Sequence, residues 1–376
     1  MFKRLTVCVA GIIIVIGLLV ACSSEPIEDA QFGIETWLNG QGLTNKQLKE
    51  MIDSGKIPRN VEVLYLEENK ISDIKPLESL KNLRELSLYQ NEISDLTPLR
   101  SLTELQILEL NNNQISDISP LSALLNLQKL NLWANQVRDL KPLESLKNLH
   151  ELALGGNPIS DVTPLQSLPN LQELELSHND ISDITQFSSI TSLSKLDLSS
   201  NKINDLMPLK SLTNLEYLDL SWNKISNVTP LEELTNLQEL SLWNNEINDI
   251  APIQSLINLE SLDLSDNQIS NITPIKVLIS LQSLDLGENQ INDITSLEAL
   301  ANLHTLNLWD NDISDLTPIQ SLTQLENLYL DSKQIGDITP FKTLTNLRSL
   351  NLYDKPQSQE YVDKLKKALP NCEIYY

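Results

Sequence analysis

Leucine recurs along this chain at fixed distances from an asparagine that returns every 22 residues. It stands eight, five and three residues before each asparagine, and Val61 replaces it in the first unit. Side chains two positions apart on a strand point to the same face. The pattern therefore predicts one short strand in every unit, with the leucines filling a continuous core. The asparagines are Asn69, Asn91, Asn113, Asn135, Asn157, Asn179, Asn201, Asn223, Asn245, Asn267, Asn289 and Asn311.

The leucine spacing continues for two units beyond the last of these asparagines. Lys333 and Lys355 stand there in place of asparagine. The array is therefore predicted to hold 14 strands within residues 61–355. We expect each asparagine side chain to hydrogen-bond backbone groups of adjacent turns that burial would otherwise leave unpaired.

The second half of each unit predicts a short helical turn on the outer side. In one unit Ile93 is followed by Asp95 and then by the dipeptide Thr97-Pro98. A hydroxyl can cap a free N–H, and proline fixes φ where no donor is needed, so we expect one 3₁₀ turn per unit. The aspartate is expected to accept hydrogen bonds from N–H groups of the turn.

The ends of a stack of repeats expose leucine and need covering. Residues 31–60 are predicted to form an amino-terminal helical cap, because Thr44 and Gln47 have the spacing of a capping box. Residues 356–376 are predicted to form a carboxyl-terminal cap, with a helix followed by a last strand at residues 372–376. Trp37 and Cys372 are predicted to pack within the caps.

The pattern L-x-x-L-x-L-x-x-N is that of leucine-rich repeats. The segment Ile93–Pro98, repeated as Ile313–Pro318, resembles the internalin-type repeats of bacterial surface proteins. The resemblance implies an α/β solenoid. This is a leucine-rich repeat arc with a parallel β-sheet on the concave face, short 3₁₀ turns on the convex face and helical caps. It does not imply a particular ligand, because such arrays bind many unrelated partners.

The amino terminus has the features of a secretory signal. Lys3 and Arg4 precede an apolar run that ends at Cys22, and residues 19–22 resemble the lipobox of bacterial lipoproteins. The prediction is a lipoprotein signal peptide at residues 1–21, a palmitate-type anchor on Cys22 and a tether at residues 22–30. The protein would then be lipid-anchored at the cell membrane or outer membrane, outside the cytoplasm. An uncleaved membrane anchor is the alternative.

Composition and charge exclude several functions. With 51 acidic and 27 basic residues the formal net charge is -24, so nucleic acid is not expected as a partner. Three cysteines give no disulfide framework. The histidines His150, His178 and His304 have no nearby cysteine or activated serine, and no phosphate loop or metal-ligand spacing occurs. The chain is therefore predicted to be non-enzymatic and to need no cofactor.

Aromatic and acidic residues on the outward positions of the strands form the predicted binding site. Exposed tryptophan and tyrosine commonly anchor protein interfaces. The acids would lie in one line across adjacent strands, where Lys195, Lys202 and Lys224 are expected to relieve their repulsion. The aromatic residues are Trp133, Trp222, Trp243, Trp309, Tyr65, Tyr89, Tyr217, Tyr329 and Tyr353, and the acids are Glu175, Asp197, Asp219, Asp263 and Asp285.

These residues predict a protein-binding scaffold on the bacterial envelope, whose ligand lies on the concave face and can be basic. The centre of the site is expected where Tyr217, Trp222 and Trp243 meet. A carbohydrate-binding surface protein would use the same aromatic residues as stacking platforms. An intracellular leucine-rich repeat regulator is the alternative if the signal peptide is misinterpreted. Ca²⁺ is an alternative ligand of the acids.

Overall fold

The computed structural model describes residues 35–353 and 359–375. The predicted signal peptide, Cys22, the tether, residues 31–34 of the amino-terminal cap, and Lys355 lie outside the described residues.

Sixteen parallel strands form one sheet within the described residues, and each pairs with the strands before and after it in the chain. All 14 predicted repeat strands are present, as β2–β15, and the last predicted strand is β16. The first strand, Glu35–Trp37, was predicted as part of a helical cap, and that prediction is wrong. The strands β1–β16 are Glu35–Trp37, Val63–Tyr65, Glu85–Ser87, Ile107–Glu109, Lys129–Asn131, Glu151–Ala153, Glu173–Glu175, Lys195–Asp197, Tyr217–Asp219, Glu239–Ser241, Ser261–Asp263, Ser283–Asp285, Thr305–Asn307, Asn327–Leu330, Ser349–Leu352 and Glu373–Tyr375.

The pairing register equals the repeat length, so equivalent positions of successive units lie side by side. Leu240 of β10 pairs with Leu218 of β9 and Leu262 of β11. These leucines are buried in one hydrophobic cluster that runs through the whole array. The residues between the leucines form the opposite surface of the sheet, which we call the strand face.

The outer side carries the predicted 3₁₀ turns, and they form even in the two units that lack proline, at Thr185–Ser189 and Thr295–Ala299. The expected hydroxyl cap is wrong, because none of the turns that begin with threonine has a side-chain cap hydrogen bond. The other turns of this series are Lys75–Ser79, Thr97–Ser101, Ser119–Ala123, Lys141–Ser145, Thr163–Ser167, Met207–Ser211, Thr229–Glu233, Ala251–Ser255, Thr273–Val277, Thr317–Ser321 and Thr339–Thr343. A further 3₁₀ turn, Ser332–Gln334, follows β14.

The repeated aspartate accepts a hydrogen bond from the N–H of the first residue of the turn, as predicted. Asp95 Oδ1 accepts a hydrogen bond of 2.8 Å from the N–H of Thr97. Asn227 takes the same position in another unit and accepts from Thr229 N–H at 3.0 Å. The neutral amide replaces the carboxylate because an acceptor oxygen two residues before the N–H is the only requirement.

The asparagine series forms a continuous hydrogen-bonded ladder, which confirms the prediction. Asn91 Nδ2 donates to Leu66 O at 2.9 Å and to Leu88 O at 3.1 Å. Its Oδ1 accepts from Ile71 N–H at 3.0 Å. Each such side chain satisfies buried backbone groups of two consecutive units, which would be costly to leave unpaired.

Gln334 continues this ladder where Lys333 replaces asparagine. Its Nε2 donates to Leu308 O at 3.1 Å and to Asn311 O at 3.3 Å, so a longer amide one residue later reaches the preceding unit. A second asparagine ladder, which the sequence analysis missed, crosses the turns on the other side of the core. Each member donates to a backbone carbonyl of the preceding unit at 2.8–3.0 Å, and the members are Asn126, Asn148, Asn170, Asn214, Asn236, Asn258, Asn302 and Asn346.

Two helices lie at the ends of the described array. Helix α1, Asn45–Asp53, begins at the predicted capping box and buries Leu48, Met51 and Ile52 against the first units. Helix α2, Gln359–Ala368, precedes β16 and buries Leu365 in the core cluster. Among the described residues, neither helix has the length and apolar character needed to cross a membrane.

Candidate binding face

The register places the predicted acids in one line across the strand face. Glu175, Asp197, Asp219, Asp263 and Asp285 are each the last residue of their strand, in β7, β8, β9, β11 and β12. Ser241 holds the equivalent position in β10, between two of the aspartates. We call these five carboxylates the acidic column. Their common line confirms the prediction, although Asp263 and Asp285 are buried beneath neighbouring side chains rather than exposed.

Lysines do not relieve the repulsion within this column, so that expectation is wrong. Lys195 pairs instead with Glu173 at 2.6 Å, and Lys202 pairs with Asp180 at 2.6 Å. Within the described part of the chain, Lys224 forms no ion pair with the column. The sequence could not show this, because the length and direction of each lysine decide its partner.

Backbone N–H groups stabilise the column instead. Asp219 Oδ1 accepts from Ser221 N–H at 2.8 Å, and Asp197 and Asp263 accept from the equivalent N–H groups at 2.8 and 2.9 Å. Asn307 Oδ1 accepts from Trp309 N–H at 2.9 Å in the same geometry. The carboxylate and the neutral amide therefore make the same hydrogen bond at the end of the strand.

Burial also shifts the acid–base equilibria of the column. Removal from water, together with the charge of Asp197, raises the pKa of Asp219 to about 7. Burial likewise raises the pKa of Glu175 to about 7 and holds that of Asp285 well above its usual range. Burial and mutual repulsion therefore favour the protonated form of these carboxyls over the ionised form that lysine was expected to neutralise.

A second line of side chains runs parallel to the column, two residues further along each unit. It holds five aromatic residues, which we call the aromatic row. The intervening positions carry mostly serine, glycine, asparagine or acids. The members are Tyr89, Trp133, Trp243, Trp309 and Tyr353, and all are half-buried or exposed.

Trp222 lies beside this row, one residue later in its unit. Its ring meets that of Trp243 edge-on, with centroids 5.4 Å apart and an interplanar angle of 80°, which confirms the predicted contact. Trp222 has φ of 55°, in the left-handed region, and its side chain is 49% exposed. The equivalent residue takes the same conformation in each of the twelve units that carry a ladder asparagine, including Asn112 and Asn244, so the repeat imposes it.

Tyr217 does not complete this patch as predicted. It makes no ring contact with Trp222 or Trp243 within the described residues. Its phenol lies in the field of the acidic column, and burial together with the charges of Asp219 and Asp197 raises its pKa far above the usual value. Tyr217 therefore belongs with the carboxylates and not with the tryptophan pair.

Trp133 lies across two glycines that the sequence analysis did not single out. An added Cβ on Gly155 would stand 2.6 Å from Trp133 Cδ1 and would also collide with the Glu175 carboxylate. The N–H of Gly155 donates to Glu175 Oε2 at 2.9 Å. Gly155 therefore allows the indole and the carboxylate to approach each other. A Gly-Gly pair at positions otherwise held by larger residues was the available signal.

The carboxyl-terminal aromatic residues form a third group. The Trp309 and Tyr353 rings are 4.7 Å apart, and Tyr329 stacks near Tyr353 at 6.4 Å. Burial and the nearby charge of Asp285 raise the pKa of both tyrosines, that of Tyr353 to about 12. This carboxylate and the three rings therefore share one region of the strand face.

At the other end, Trp37 stacks on Tyr65 with centroids 3.9 Å apart. The prediction that Trp37 packs inside a cap is wrong, because it is 52% exposed on the strand face. Cys372 packs against the core as predicted. The described residues contain no group of three or more side chains arranged to hold a metal ion, and the three histidines lie apart on separate units.

Comparison with known proteins relates the array to leucine-rich repeats. The family model described as "Leucine Rich repeats (2 copies)" matches residues 59–101, 81–123, 103–145, 125–167, 191–233, 235–277, 279–321 and 301–343, and "Leucine rich repeat" matches residues 147–203. No curated protein sequence matches the chain significantly.

Solved structures give the same relation. An internalin (inlF) of Listeria monocytogenes is 34% identical, with 82% of this chain and 89% of that chain covered and a TM-score of 0.75. A leucine-rich repeat protein of Leptospira interrogans is 27% identical over 90% and 95% of the two chains, with a TM-score of 0.77. The ectodomain of an Arabidopsis thaliana receptor kinase, 22% identical over 87% and 45% with a TM-score of 0.62, shares the fold alone.

Proposed function

This chain belongs to the leucine-rich repeat proteins, with repeats of the internalin type, and we propose that it binds a protein partner on its strand face at a bacterial cell envelope. The observation that carries the proposal is the tryptophan pair Trp222 and Trp243. Repeat scaffolds of this kind bind proteins, and large exposed aromatic side chains are the usual anchors of such interfaces.

The exposure of Trp222 argues against a structural role. Its left-handed conformation is set by the repeat, because the residue before the ladder asparagine has a positive φ in all twelve of these units, whatever its side chain. Trp222 is half exposed, so burial of its own side chain adds little to the stability of the array. Its contact with Trp243 holds an apolar surface above the ends of β9 and β10, beside Asp219. An apolar anchor with an acidic rim suits a protein surface that carries a basic side chain.

Replacing either tryptophan is expected to weaken partner binding without unfolding the array. Trp243→Ala should cost about 2 kcal/mol or more of binding free energy. Trp222→Asn should cost a similar amount and change the free energy of unfolding by less than about 1 kcal/mol, because asparagine tolerates the left-handed conformation. The partner is captured from envelope extracts by crosslinking, and its affinity for each variant is then measured by titration calorimetry.

Met207→Ala is the matched control, since Met207 is 59% exposed but begins a 3₁₀ turn away from the strand face. Its affinity should equal that of the unmodified chain. Unchanged affinity in both tryptophan variants would remove the pair from the interface. Binding to a glycan array, with no protein captured, would replace the protein partner by a carbohydrate.

We further propose that Cys22 carries the lipid that holds the protein at the membrane. The support is the sequence alone: a charged start, an apolar run and a lipobox-like segment ending at this cysteine. Cells fed a palmitate analogue should label the chain in the membrane fraction, and Cys22→Ser should lose the label. An unlabelled, soluble chain would contradict the envelope assignment.

A further inference from the structure

The strand face brings aromatic and acidic side chains together at three separate places. At the first, Trp133 and Glu175 converge over Gly155. At the second, Trp243 follows β10, which lies between the strands that end at Asp219 and Asp263. At the third, the rings of Trp309, Tyr329 and Tyr353 lie near Asp285. We call these the three aromatic–acid sites.

The three sites lie on one line because their tryptophans all belong to the aromatic row. Trp133, Trp243 and Trp309 lie two residues after the ends of β5, β10 and β13, so the sites are separated by five and three strand intervals. At about 4.8 Å per strand these intervals are about 24 and 14 Å. The acidic column runs parallel to this line, about 6.6 Å away along the strands. The face is thus one continuous track, running perpendicular to the strands.

Three carboxyl groups of this track have an oxygen that can still accept a hydrogen bond from a ligand. In Asp197, Asp219 and Asp263 the strand-end hydrogen bond uses Oδ1, and Oδ2 accepts none from any described residue. Within the described residues no lysine or arginine pairs with them. Burial favours the protonated form of these carboxyls, and a cation or N–H group placed against Oδ2 would favour the ionised form instead.

An unsatisfied amide supports the same conclusion independently. Asn111 holds a position of the aromatic row between Tyr89 and Trp133 and is only 6% exposed, yet its Oδ1 has no hydrogen-bond partner. The hydroxyl of Ser87 on the adjacent strand is likewise buried without a partner. Buried polar atoms are seldom left unpaired, so each such atom calls for an explanation. Asn111 lies one strand interval before Trp133, so a bound polypeptide that extends past the first site would bring main-chain N–H groups to it, and its amide would turn outward to accept from one of them.

We propose that the partner enters this track as an extended, basic polypeptide segment that crosses the strands and places a lysine or arginine at each aromatic–acid site. The proposal rests on the proposed function and specifies its ligand. A cationic side chain stacks on the indole and pairs with the neighbouring carboxylate. At about 3.3 Å per residue, an extended segment needs about seven residues between the first two basic side chains and about four between the next two.

An extended segment fits the track better than a helix. A helix rises about 1.5 Å per residue, so its basic side chains would stand about 16 and 10 residues apart and its main-chain N–H groups would be internally bonded. Such a helix could not donate to Asn111. The net charge of -24 adds long-range attraction for a basic segment.

The test is selection of a phage-displayed library of random 15-residue peptides on the purified full chain. Enriched peptides should carry lysine or arginine at separations of about seven and four residues. Their dissociation constants should rise at least tenfold for Trp133→Ala, Trp243→Ala and Trp309→Ala and stay within twofold for Met207→Ala. Thermal melts of each variant establish that the array remains folded.

Several outcomes would overturn this inference. A basic segment would be excluded if the enriched peptides lacked lysine and arginine. It would also be excluded if the unmodified chain enriched no more peptide than a variant that combines Trp133→Ala, Trp243→Ala and Trp309→Ala. Equal binding by a peptide with its basic residues moved together would exclude the predicted spacing. If Trp243→Ala still weakens binding of the envelope partner in these cases, the proposed function stands and only the extended basic ligand fails. If the affinity for the partner is also unchanged, both fail.

Discussion

Raising the pH from 5 to 8 is expected to lower the free energy of unfolding by about 3 kcal/mol or more, because the acidic column loses its protons only in the upper part of that range. Asp219 and Glu175 have folded-state pKa values of about 7, raised first of all by burial. In the unfolded chain such carboxyls titrate near pH 4. Between these values the folded state binds more protons than the unfolded state, so stability falls as the pH rises.

The exposed aspartates at the turns change the free energy of unfolding with pH in the opposite direction, and they do so in a lower pH range. Hydrogen bonds from the side chain and N–H of Thr97 lower the pKa of Asp95, and Thr185 does the same for Asp183. Their contribution is present above pH 4 and is lost as the pH falls below it. Stability should therefore be greatest near pH 4 to 5, where the column is protonated and the turns are still charged.

The variant Asp219→Asn removes one titrating carboxyl from the acidic column and so measures its contribution to the pH dependence. It should raise the free energy of unfolding at pH 8 by about 2 kcal/mol and leave it nearly unchanged at pH 5. The amide keeps the strand-end hydrogen bond, as Asn307 does at the equivalent position. Urea denaturation midpoints at the two pH values measure the effect. Asp95→Asn is the control, because Asn227 already serves at its position and no pH effect between 5 and 8 is expected.

The pH prediction fails if the unmodified chain becomes more stable between pH 5 and 8, or if Asp219→Asn stabilises it equally at both. Either result would mean that the column is ionised in the folded state at pH 5.

Truncating Leu242 to alanine is expected to lower the free energy of unfolding by about 2 to 5 kcal/mol. Leu242 is fully buried, between Leu220 and Leu264 of the adjacent units. Packed neighbours on both sides limit how far the site can collapse, so a cavity remains. In a linear array each unit is supported only by its neighbours, so the loss should spread to the flanking units. Thermal and urea melts report the change.

The next residue supplies the contrast. Trp243 is larger than Leu242 but lies on the strand face, so Trp243→Ala should change the free energy of unfolding by no more than about 1.5 kcal/mol, the value of its ring contact with Trp222. Equal losses of stability in the two variants would show that Trp243 is a structural residue. The proposed interface would then lose its anchor.

Sequence alone determined the repeat frame, the inward leucines, the turn aspartates and the asparagine ladder. It could do so because every unit places the same residue in the same surroundings, and a period of 22 residues leaves one register that buries all the leucines. The line of acids and the contact between Trp222 and Trp243 followed from that register, since positions at a fixed offset must lie side by side.

Tertiary structure decided what depends on side-chain direction and on contacts between units. Strand β1 pairs with β2 through backbone groups 28 residues apart and carries no leucine pattern of its own. Gln334 takes over the ladder because its longer amide reaches the preceding unit, and Trp133 lies flat because Gly155 leaves space for it. The acidic column accepts hydrogen bonds from backbone N–H groups and not from lysine, because Lys195 pairs with Glu173 instead. Rotamer choice and burial set these outcomes, and a one-dimensional pattern encodes neither.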